Sequence, residues 1–485
     1  MLGEQEKALE YYKKALKITV QIDNLETQAV SLGNMGLVYQ TLGEPKKALM
    51  CHQRALDINQ KINRLKGQAL QLGNIGLVYQ TLGEPKVALG YHEKALKIAK
   101  QIGDLENQAN QLGNIGIVYS GIGDQKKALE YHLYALGINE RIDDFKGQAE
   151  DLNNIGFVYL TFGEPGEALK YYQRALDIDE EINNLLGQAR TINNIGVVYR
   201  TLKKPELALD YHQKALEIAE RIGDISGQAR DLDNIGVVYR NLNKPEIALD
   251  YHQRALEIDE RIEDIRGQAT DLENIGIVYY MLDKPELALR YYQRALVLQE
   301  KIDYPEGQAI LLYDIGHVYQ ILREPKKALE YLQKALDIDK RVGNLEGQIE
   351  DYGSIGSIYL EINEPQKALD HYERGLKIAR EIGNLELQVK TLGNLGLAYD
   401  SLGNSEKALE YFEEAVTMAV QIGDSVEQAI HLINRGSLHA DLGNFNEALL
   451  NYYRAREISK KIGAEDNVAI CDRNIARARQ KLAEQ

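Results

Sequence analysis

The sequence predicts an all-α protein, a solenoid of stacked antiparallel helix pairs, and three observations lead to this prediction. A seven-residue signature, NIGVVYR at Asn194–Arg200 and again at Asn234–Arg240, recurs in recognisable form eleven times at an unbroken spacing of 40 residues. Within each repeat, apolar and small residues follow one another at steps of three and four, as on one face of a helix. Proline or glycine often marks the helix ends. Such a chain grows by stacking copies of one unit on its neighbours.

Each repeat is predicted to contain two helices of about 18 residues and about 27 Å. In Gln188–Gly223, Pro205 suits the first position of the second helix, because its missing N–H has no intrahelical partner there. Gly223 suits the left-handed residue that ends that helix, and Asp224 can cap the next one. The apolar faces of the two helices consist of Ala189, Ile192, Ile195, Tyr199 and Leu202, then Ala208, Tyr211, Ala215, Ile218 and Ile222.

The two ends of the chain differ from the repeats between them. Residues 1–22 match only a second helix, eleven full pairs follow over residues 24–463, and residues 465–485 match a first helix with no successor. That last segment has Ala476 in place of the usual glycine and is rich in arginine, as expected of a polar cap. We therefore predict one solenoid over residues 1–485. The unpaired start indicates either a longer protein or a partner for the first helix.

Composition narrows the kinds of partner. The chain has 485 residues and a net charge of −16, which repels phosphate backbones, so we expect no nucleic-acid partner. No apolar run approaches the roughly 18 residues that span a bilayer, and the first ten residues lack the apolar core of a secretory signal. Cys51 and Cys471 lie more than ten repeats apart, which disfavours a disulfide. We expect a cytoplasmic protein without a membrane partner.

The repeat resembles the tetratricopeptide repeat. Within residues 67–103, the residues that carry the resemblance are Leu72, Asn74, Ile75, Gly76, Tyr79, Gly83, Ala88, Tyr91, His92 and Ala95. The period is longer than the usual of about 34 residues, and the proline that closes the second helix is missing. This long form is similar to the repeats of Pins-type spindle adaptors, kinesin light chains, and bacterial and archaeal arrays. The resemblance implies a right-handed superhelix, a concave groove lined by first helices, and binding of a peptide or protein.

The resemblance also implies which residues line the groove. They form a stripe on the first helices, one step round from the core. This stripe is most varied over residues 147–322, where the candidates are Arg190, Asn193, Asn194, Val197, Arg200, Arg230, Asp233, Asn234, Val237, Arg240, Glu273, Asn274, Tyr280, Tyr313 and His317. An asparagine amide donates and accepts, so the asparagines can bind a peptide backbone or order the stack. The arginines can hold carboxylates or a phosphate, or can pair with nearby acids such as Asp231 and Asp233.

Other recurring residues point to packing. Gly196 and its equivalents are expected to let the two helices approach, and Tyr199 to fill the space between them. The repeated glutamine of GQA is interpreted as structural. His52, His92, His132, His212 and His252 occupy one place in separate repeats, so we predict packing and no metal site. No phosphate loop, HExxH or GxSxG motif occurs, so we expect neither enzyme activity nor a cofactor.

Two functions remain open. The first is a non-catalytic scaffold that captures a peptide or partner segment in its groove. The second is the sensor or regulatory arm of a larger enzyme or transcriptional regulator whose effector domain lies outside this chain. The sequence does not indicate an oligomeric state.

Overall fold

The computed structural model describes residues 2–484, which fold into 24 α-helices without a strand. In chain order the helices are α1 (Leu2–Gln21), α2 (Leu25–Thr41), α3 (Pro45–Lys61), α4 (Leu65–Thr81), α5 (Pro85–Ile102), α6 (Leu105–Gly121), α7 (Gln125–Arg141), α8 (Phe145–Thr161), α9 (Pro165–Glu181), α10 (Leu185–Thr201), α11 (Pro205–Ile222), α12 (Ile225–Asn241), α13 (Pro245–Ile262), α14 (Ile265–Met281), α15 (Pro285–Lys301), α16 (Pro305–Ile321), α17 (Pro325–Val342), α18 (Leu345–Glu361), α19 (Pro365–Ile382), α20 (Leu385–Ser401), α21 (Ser405–Ile422), α22 (Ser425–Asp441), α23 (Phe445–Ile462) and α24 (Glu465–Glu484). We call the even-numbered helices from α2 to α22 first helices, and the odd-numbered helices from α3 to α23 second helices.

The helices form two compact units, divided between Lys244 and Pro245. Unit 1 contains α1 to α12, and unit 2 contains α13 to α24. In each unit, a first helix and the second helix that follows it pack closely as an antiparallel pair, and each pair packs on the next. The predicted all-α class and the solenoid of stacked helix pairs are therefore confirmed. A single solenoid over residues 1–485 stays a prediction.

The helix ends follow the sequence signals. The Asp104 side chain accepts a hydrogen bond from the backbone N–H of Asn107 at 3.1 Å, so it caps the start of α6. Gly103, just before it, has a φ of 70°, in the left-handed region that ends α5. The GQA glutamine is structural, as predicted: the Gln188 side chain donates to the backbone oxygen of Asp179, 3.0 Å away, at the end of the preceding second helix.

The apolar face predicted for each helix is the buried one. The Tyr199 ring on α10 stacks on the Tyr211 ring on α11 with centroids 5.2 Å apart, which links the two helices of the pair. Beside these rings, the residues exposed by 2% or less include Ala189, Ile195, Val198, Ala208 and Ala215. One helix pair leaves a second apolar side, which the next pair covers, so stacking completes the core.

The signature glycines make room for a buried ring. A β-carbon on Gly76 would lie 2.6 Å from Cε1 of His92, and one on Gly156 would lie 2.8 Å from Cε1 of Tyr172. The predicted packing role of the histidine row is confirmed, since His92 is fully buried between the two helices of its pair. The glycine therefore accommodates a side chain of the second helix, which is the physical reason for its recurrence.

The first helices lie on the inner side of each unit. In unit 1 each first helix from α2 to α10 also contacts the next first helix, and in unit 2 the same holds for α16 to α20. Among the described residues of either unit, successive second helices do not approach one another in this way. Each unit therefore curves with its first helices inside. We call the partly exposed side of these helices the inner face; on α10 it carries Arg190, Asn194, Val197 and Arg200.

Candidate functional site

The predicted site residues of unit 1 lie on the first helices α10 and α12. Arg190 and Arg230 are exposed, whereas Asn194, Val197, Arg200, Asp233, Asn234 and Arg240 are half-buried. Two predicted residues lie deeper than a ligand contact requires, since Asn193 is 4% and Val237 is 9% exposed. The helical spacing predicted the stripe, and the depth of each residue depends on how the neighbouring pair covers it.

The asparagines of the inner face connect successive first helices. The Asn234 amide donates to Oδ1 of Asn193 at 3.0 Å, and the Asn194 amide donates to Oδ1 of Asn153 at 3.2 Å. Asn193 Oδ1 also lies 2.7 Å from Nδ1 of the buried His212. These bonds order the stack. Because a side-chain amide has two donor hydrogens and an acceptor oxygen, Asn194 and Asn234 keep capacity for a ligand.

The four arginines differ in their surroundings. Arg230 forms an ion pair with Asp231, with Nε 3.2 Å from Oδ1. Burial raises the pKa of the Asp231 carboxyl to about 7 and outweighs the opposing effect of Arg230. The charge of Arg190 acts on the partly buried carboxyl of Asp179. Of the two roles predicted for these arginines, Arg230 therefore has the second, pairing with a nearby acid of the chain.

Arg200 has a different environment from Arg230. Its Nε is buried and has no hydrogen-bond partner among the described residues. Burial lowers the pKa of Arg200, and the nearby charge of Arg240 lowers it further, while Asp233 has the opposite effect. Two guanidinium groups thus lie close enough to repel each other at the end of the inner face of α10 and α12.

In unit 2, the predicted residues lie on α14 and α16. Tyr280 is 41% exposed, Glu273 is half-buried, and Asn274 is 8% exposed. The rings of Tyr313 and His317 meet edge to face with centroids 4.4 Å apart. His317 Nε2 lies 3.1 Å from Oγ of Ser354 on the next first helix, and that hydroxyl donates to the Tyr313 hydroxyl at 3.3 Å. Burial lowers the pKa of His317, so it is neutral at pH 7 and packs within this polar cluster.

A pocket on the inner face of unit 1 was missed by sequence reasoning. It encloses about 340 Å³ between α4 and α6 and is lined mainly by asparagines and leucines, namely Leu70, Asn74, Leu77, Asn107, Asn110 and Asn114. Gly73 also lines it, at the place where α10, α14 and α16 carry Asn193, Glu273 and Tyr313. A β-carbon on Gly73 would lie 2.7 Å from Nε2 of Gln111, so this glycine gives room to a buried amide and is not itself a signal of the pocket.

A seam of buried polar residues between successive pairs was also missed. The Asn139 amide on α7 donates to Oδ2 of Asp151 on α8 at 2.8 Å. In unit 2, the carboxyl groups of Asp339 on α17 and Asp351 on α18 interact directly and are 4% and 1% exposed. Burial first, and the charge of Asp339 next, raise the pKa of Asp351 to about 8. The seam links neighbouring pairs through buried carboxyl groups and amides.

Among the side chains that the structure describes, within residues 5–484, no three histidine, cysteine, aspartate or glutamate groups cluster as ligands of one metal ion. In the described part of the chain, every helix is too short or too polar to cross a bilayer.

Known proteins share this repeat and this fold. A tetratricopeptide repeat model matches residues 1–61, 68–141, 148–221, 227–301 and 307–381, and another matches residues 389–419. A signal transduction ATPase with numerous domains from Pyrococcus horikoshii, which has a tetratricopeptide repeat sensor, is similar with a TM-score of 0.55 and 16% identity, over 98% of this chain and 74% of that one. The apo quorum sensor NprR from B. thuringiensis gives 0.52 and 15% identity, over 74% and 99% of the two chains. No curated protein matches.

Proposed function

Since this chain belongs to the tetratricopeptide repeat family, we propose that it is a non-catalytic scaffold that binds a peptide or partner segment on its inner face. The repeats support a protein-interaction or sensor role, and the family consists generally of non-catalytic scaffolds. The finer proposal concerns where and how the partner binds.

The pocket between α4 and α6 carries this proposal. The amides of Asn74, Asn110 and Asn114 provide donors and acceptors, and Leu70 and Leu77 provide apolar surface beside them. An extended peptide can use both, because its unpaired backbone groups can bond to the amides and its side chains alternate between its two faces. The backbone groups of the peptide would exchange their hydrogen bonds to water for hydrogen bonds to these amides. Every second side chain of the peptide would pack against a leucine.

The length of such a peptide follows from helix packing. Packed helices are separated by about 8–10 Å, so the inner face from α4 to α12 spans about 32–40 Å. An extended chain rises about 3.3 Å per residue, and about 12 residues cover this distance. In unit 1 the proposed contacts therefore include the predicted stripe on α10 and α12, with Asn193 and Val237 supporting it from below. In unit 2, Glu273, Tyr280, Tyr313 and His317 stay as proposed contacts, with Asn274 supporting them from below.

A display selection tests the proposal. Random 12-residue peptides are selected on the full chain, and the affinities of the selected peptides are measured by fluorescence anisotropy. Leu77→Arg fills the pocket and is expected to weaken binding by at least about 10-fold, as for a lost apolar anchor. Leu133→Arg is the matched control, because Leu133 is 43% exposed on the second helix α7 and the change in charge is the same. Equal effects of the two substitutions would refute an inner-face site.

A second candidate is the sensor or regulatory arm of a larger enzyme or transcriptional regulator. It is supported by the similarity over 98% of this chain to a protein with a tetratricopeptide repeat sensor. The reading frame upstream of the chain tests this candidate: a kinase, protease or DNA-binding segment there favours it, whereas a stop codon immediately upstream removes an N-terminal effector.

The proposed partners are proteins or peptides, not nucleic acids or membranes, and the proposed location is the cytoplasm. The net charge of −16 supports the proposal that nucleic acids are not partners, because an acidic chain repels their phosphate backbone. The two free cysteines are both buried, which is compatible with a reducing compartment.

A further inference from the structure

We propose that two copies of this chain associate through the groove between the second helices α21 and α23 of unit 2. A two-fold axis along the groove makes α21 of each copy face α23 of the other. The groove encloses about 520 Å³, with α22 beneath it, and its apolar lining is Val416, Val420, Leu432, Leu450, Tyr453 and Ile458. It lies between second helices, away from the inner face, so the inference does not depend on the proposed function.

The groove is apolar at two places where the other repeats are charged. The position of Val420 holds a charged residue in every second helix from α5 to α19, and the position of Leu450 does so in every one from α7 to α21. Val420 is 56% exposed and Leu450 is 45% exposed. Contiguous apolar side chains of this kind mark a surface that another molecule covers.

The preceding groove, between α19 and α21, shows the ordinary chemistry of this place. It encloses about 510 Å³, nearly the same volume, but the residues along it include Glu373, Lys377, Arg380 and Glu381. The two grooves therefore differ in chemistry and not in size, so the apolar lining between α21 and α23 is not a consequence of how the helices are spaced.

An ion pair that crosses other grooves is lost between α21 and α23. The pairs, at one place in the repeat, are Glu140 with Arg174 at 3.7 Å, Glu260 with Arg294 at 3.7 Å, and Arg380 with Glu414 at 3.0 Å. The corresponding residues of the last groove are Val420 and Arg454. A valine thus takes the place of the acid that would face Arg454 across the groove, and an acid of the occupant can replace it.

The two helices that border the groove carry opposite charge. The exposed charged residues are Glu406, Glu410, Glu413 and Glu414 with Lys407 on α21, and Arg454, Lys460 and Lys461 with Glu447 and Glu457 on α23. An acidic ridge and a more basic ridge therefore flank an apolar groove. A surface that complements itself in this way suits an isologous contact between two copies.

The charge pattern also selects the direction of the axis. Residues 40 apart lie level on successive second helices, and rotation about an axis along the groove keeps them level. Glu414 of one copy then lies level with Arg454 of the other, and Lys407 lies level with Glu447. An axis across the groove would instead bring the two acidic ridges together, which like charges disfavour.

Sedimentation velocity of the full chain over a concentration series tests the proposal. The variant Val420→Glu/Leu450→Glu gives the groove the residues that Glu260 and Glu330 provide elsewhere in the array, so the fold is expected to persist. We expect a parent dimer and a dissociation constant at least about 10-fold higher for the variant, as for lost apolar anchors. A thermal melt establishes that each variant is folded.

The matched control is Leu133→Glu/Val297→Glu, which adds the same two charges at apolar residues of α7 and α15 that are 43% and 62% exposed. It is expected to dimerise as the parent does. A parent that stays monomeric at every concentration overturns the proposal and leaves the groove to a different occupant. Equal dissociation constants for the parent and Val420→Glu/Leu450→Glu also overturn it.

Charge exchange between the ridges tests the arrangement of the two copies. Glu410→Lys/Glu414→Lys is expected to weaken the dimer by at least about 10-fold, because it places basic residues opposite α23 of the second copy. Adding Arg454→Glu/Lys461→Glu to the same chain exchanges the signs of both ridges and is expected to restore dimerisation. If the combined variant dimerises no better than Glu410→Lys/Glu414→Lys, α21 does not face α23 and the proposal is overturned.

Discussion

A β-carbon on Gly196 would lie 2.7 Å from Cε1 of His212, closer than side chains pack. His212 is fully buried, and its Nδ1 lies 2.7 Å from Oδ1 of Asn193. The ring is therefore held in place on the side that faces the glycine, and it cannot withdraw without breaking this hydrogen bond.

Gly196→Ala is expected to destabilise unit 1 by about 1–3 kcal/mol, because one added methyl group overpacks the space that the ring fills. The free energy of unfolding from urea denaturation measures this cost. Gly90→Ala is the matched control: Gly90 lies inside α5 with open space around it, so alanine should stabilise that helix by about 1 kcal/mol. If both substitutions stabilise the chain, the ring does not need the glycine.

Asn193→Leu is expected to destabilise unit 1 by about 1–3 kcal/mol although leucine is similar in size. The substitution leaves the amide of Asn234 and the ring nitrogen of His212 without the oxygen that both contact. Asn110→Leu should change the urea midpoint little, because Asn110 is exposed in the pocket. An unchanged midpoint for Asn193→Leu would mean that the asparagines do not order the stack.

The pH dependence of stability is expected to depend on the contact between Asp339 and Asp351. The pKa of Asp351 is raised to about 8 in the fold, above the value of about 3.9 for an unfolded chain, so the folded state holds the proton more tightly. Stability from this group is complete below pH 4 and is lost as the pH rises towards 8. The other charged groups that act on the pair are Lys340, Glu350 and Glu306.

Asp351→Asn removes this titration and should therefore reduce the fall in thermal midpoint between pH 5 and pH 8 by at least about 2 °C. Asp337→Asn is the control, since Asp337 is exposed on α17 and loses the same charge. Two variants with the same pH profile as the parent would show that the buried pair does not titrate in this range.

Much of the fold could be predicted from the sequence because the signals are local and repeated. Pro205 and Asp104 begin helices for reasons contained within one turn, and the alternation of three and four residues defines the buried face. Eleven copies in one phase also leave little freedom in how pairs stack.

The depth of individual polar residues could not be predicted in the same way. Asn193 and Asn194 are neighbours in the signature, but one is buried by the next pair and the other is half-exposed. Asp351 is a polar residue in a helix that has an exposed face, so the sequence alone would place it at the surface. It is buried because α17 packs over it. The pocket beside Gly73 depends on the space between two helices 40 residues apart, which no single helix pattern describes.

The most direct measurement of the central claim is the place where a bound peptide contacts the chain. A photoreactive p-benzoylphenylalanine at Asn110, in the inner pocket, is compared with one at Tyr134, which is 56% exposed on the second helix α7. We predict that a selected 12-residue peptide cross-links at position 110 and not at position 134. Cross-linking at position 134, with none at position 110, would contradict a partner site on the inner face.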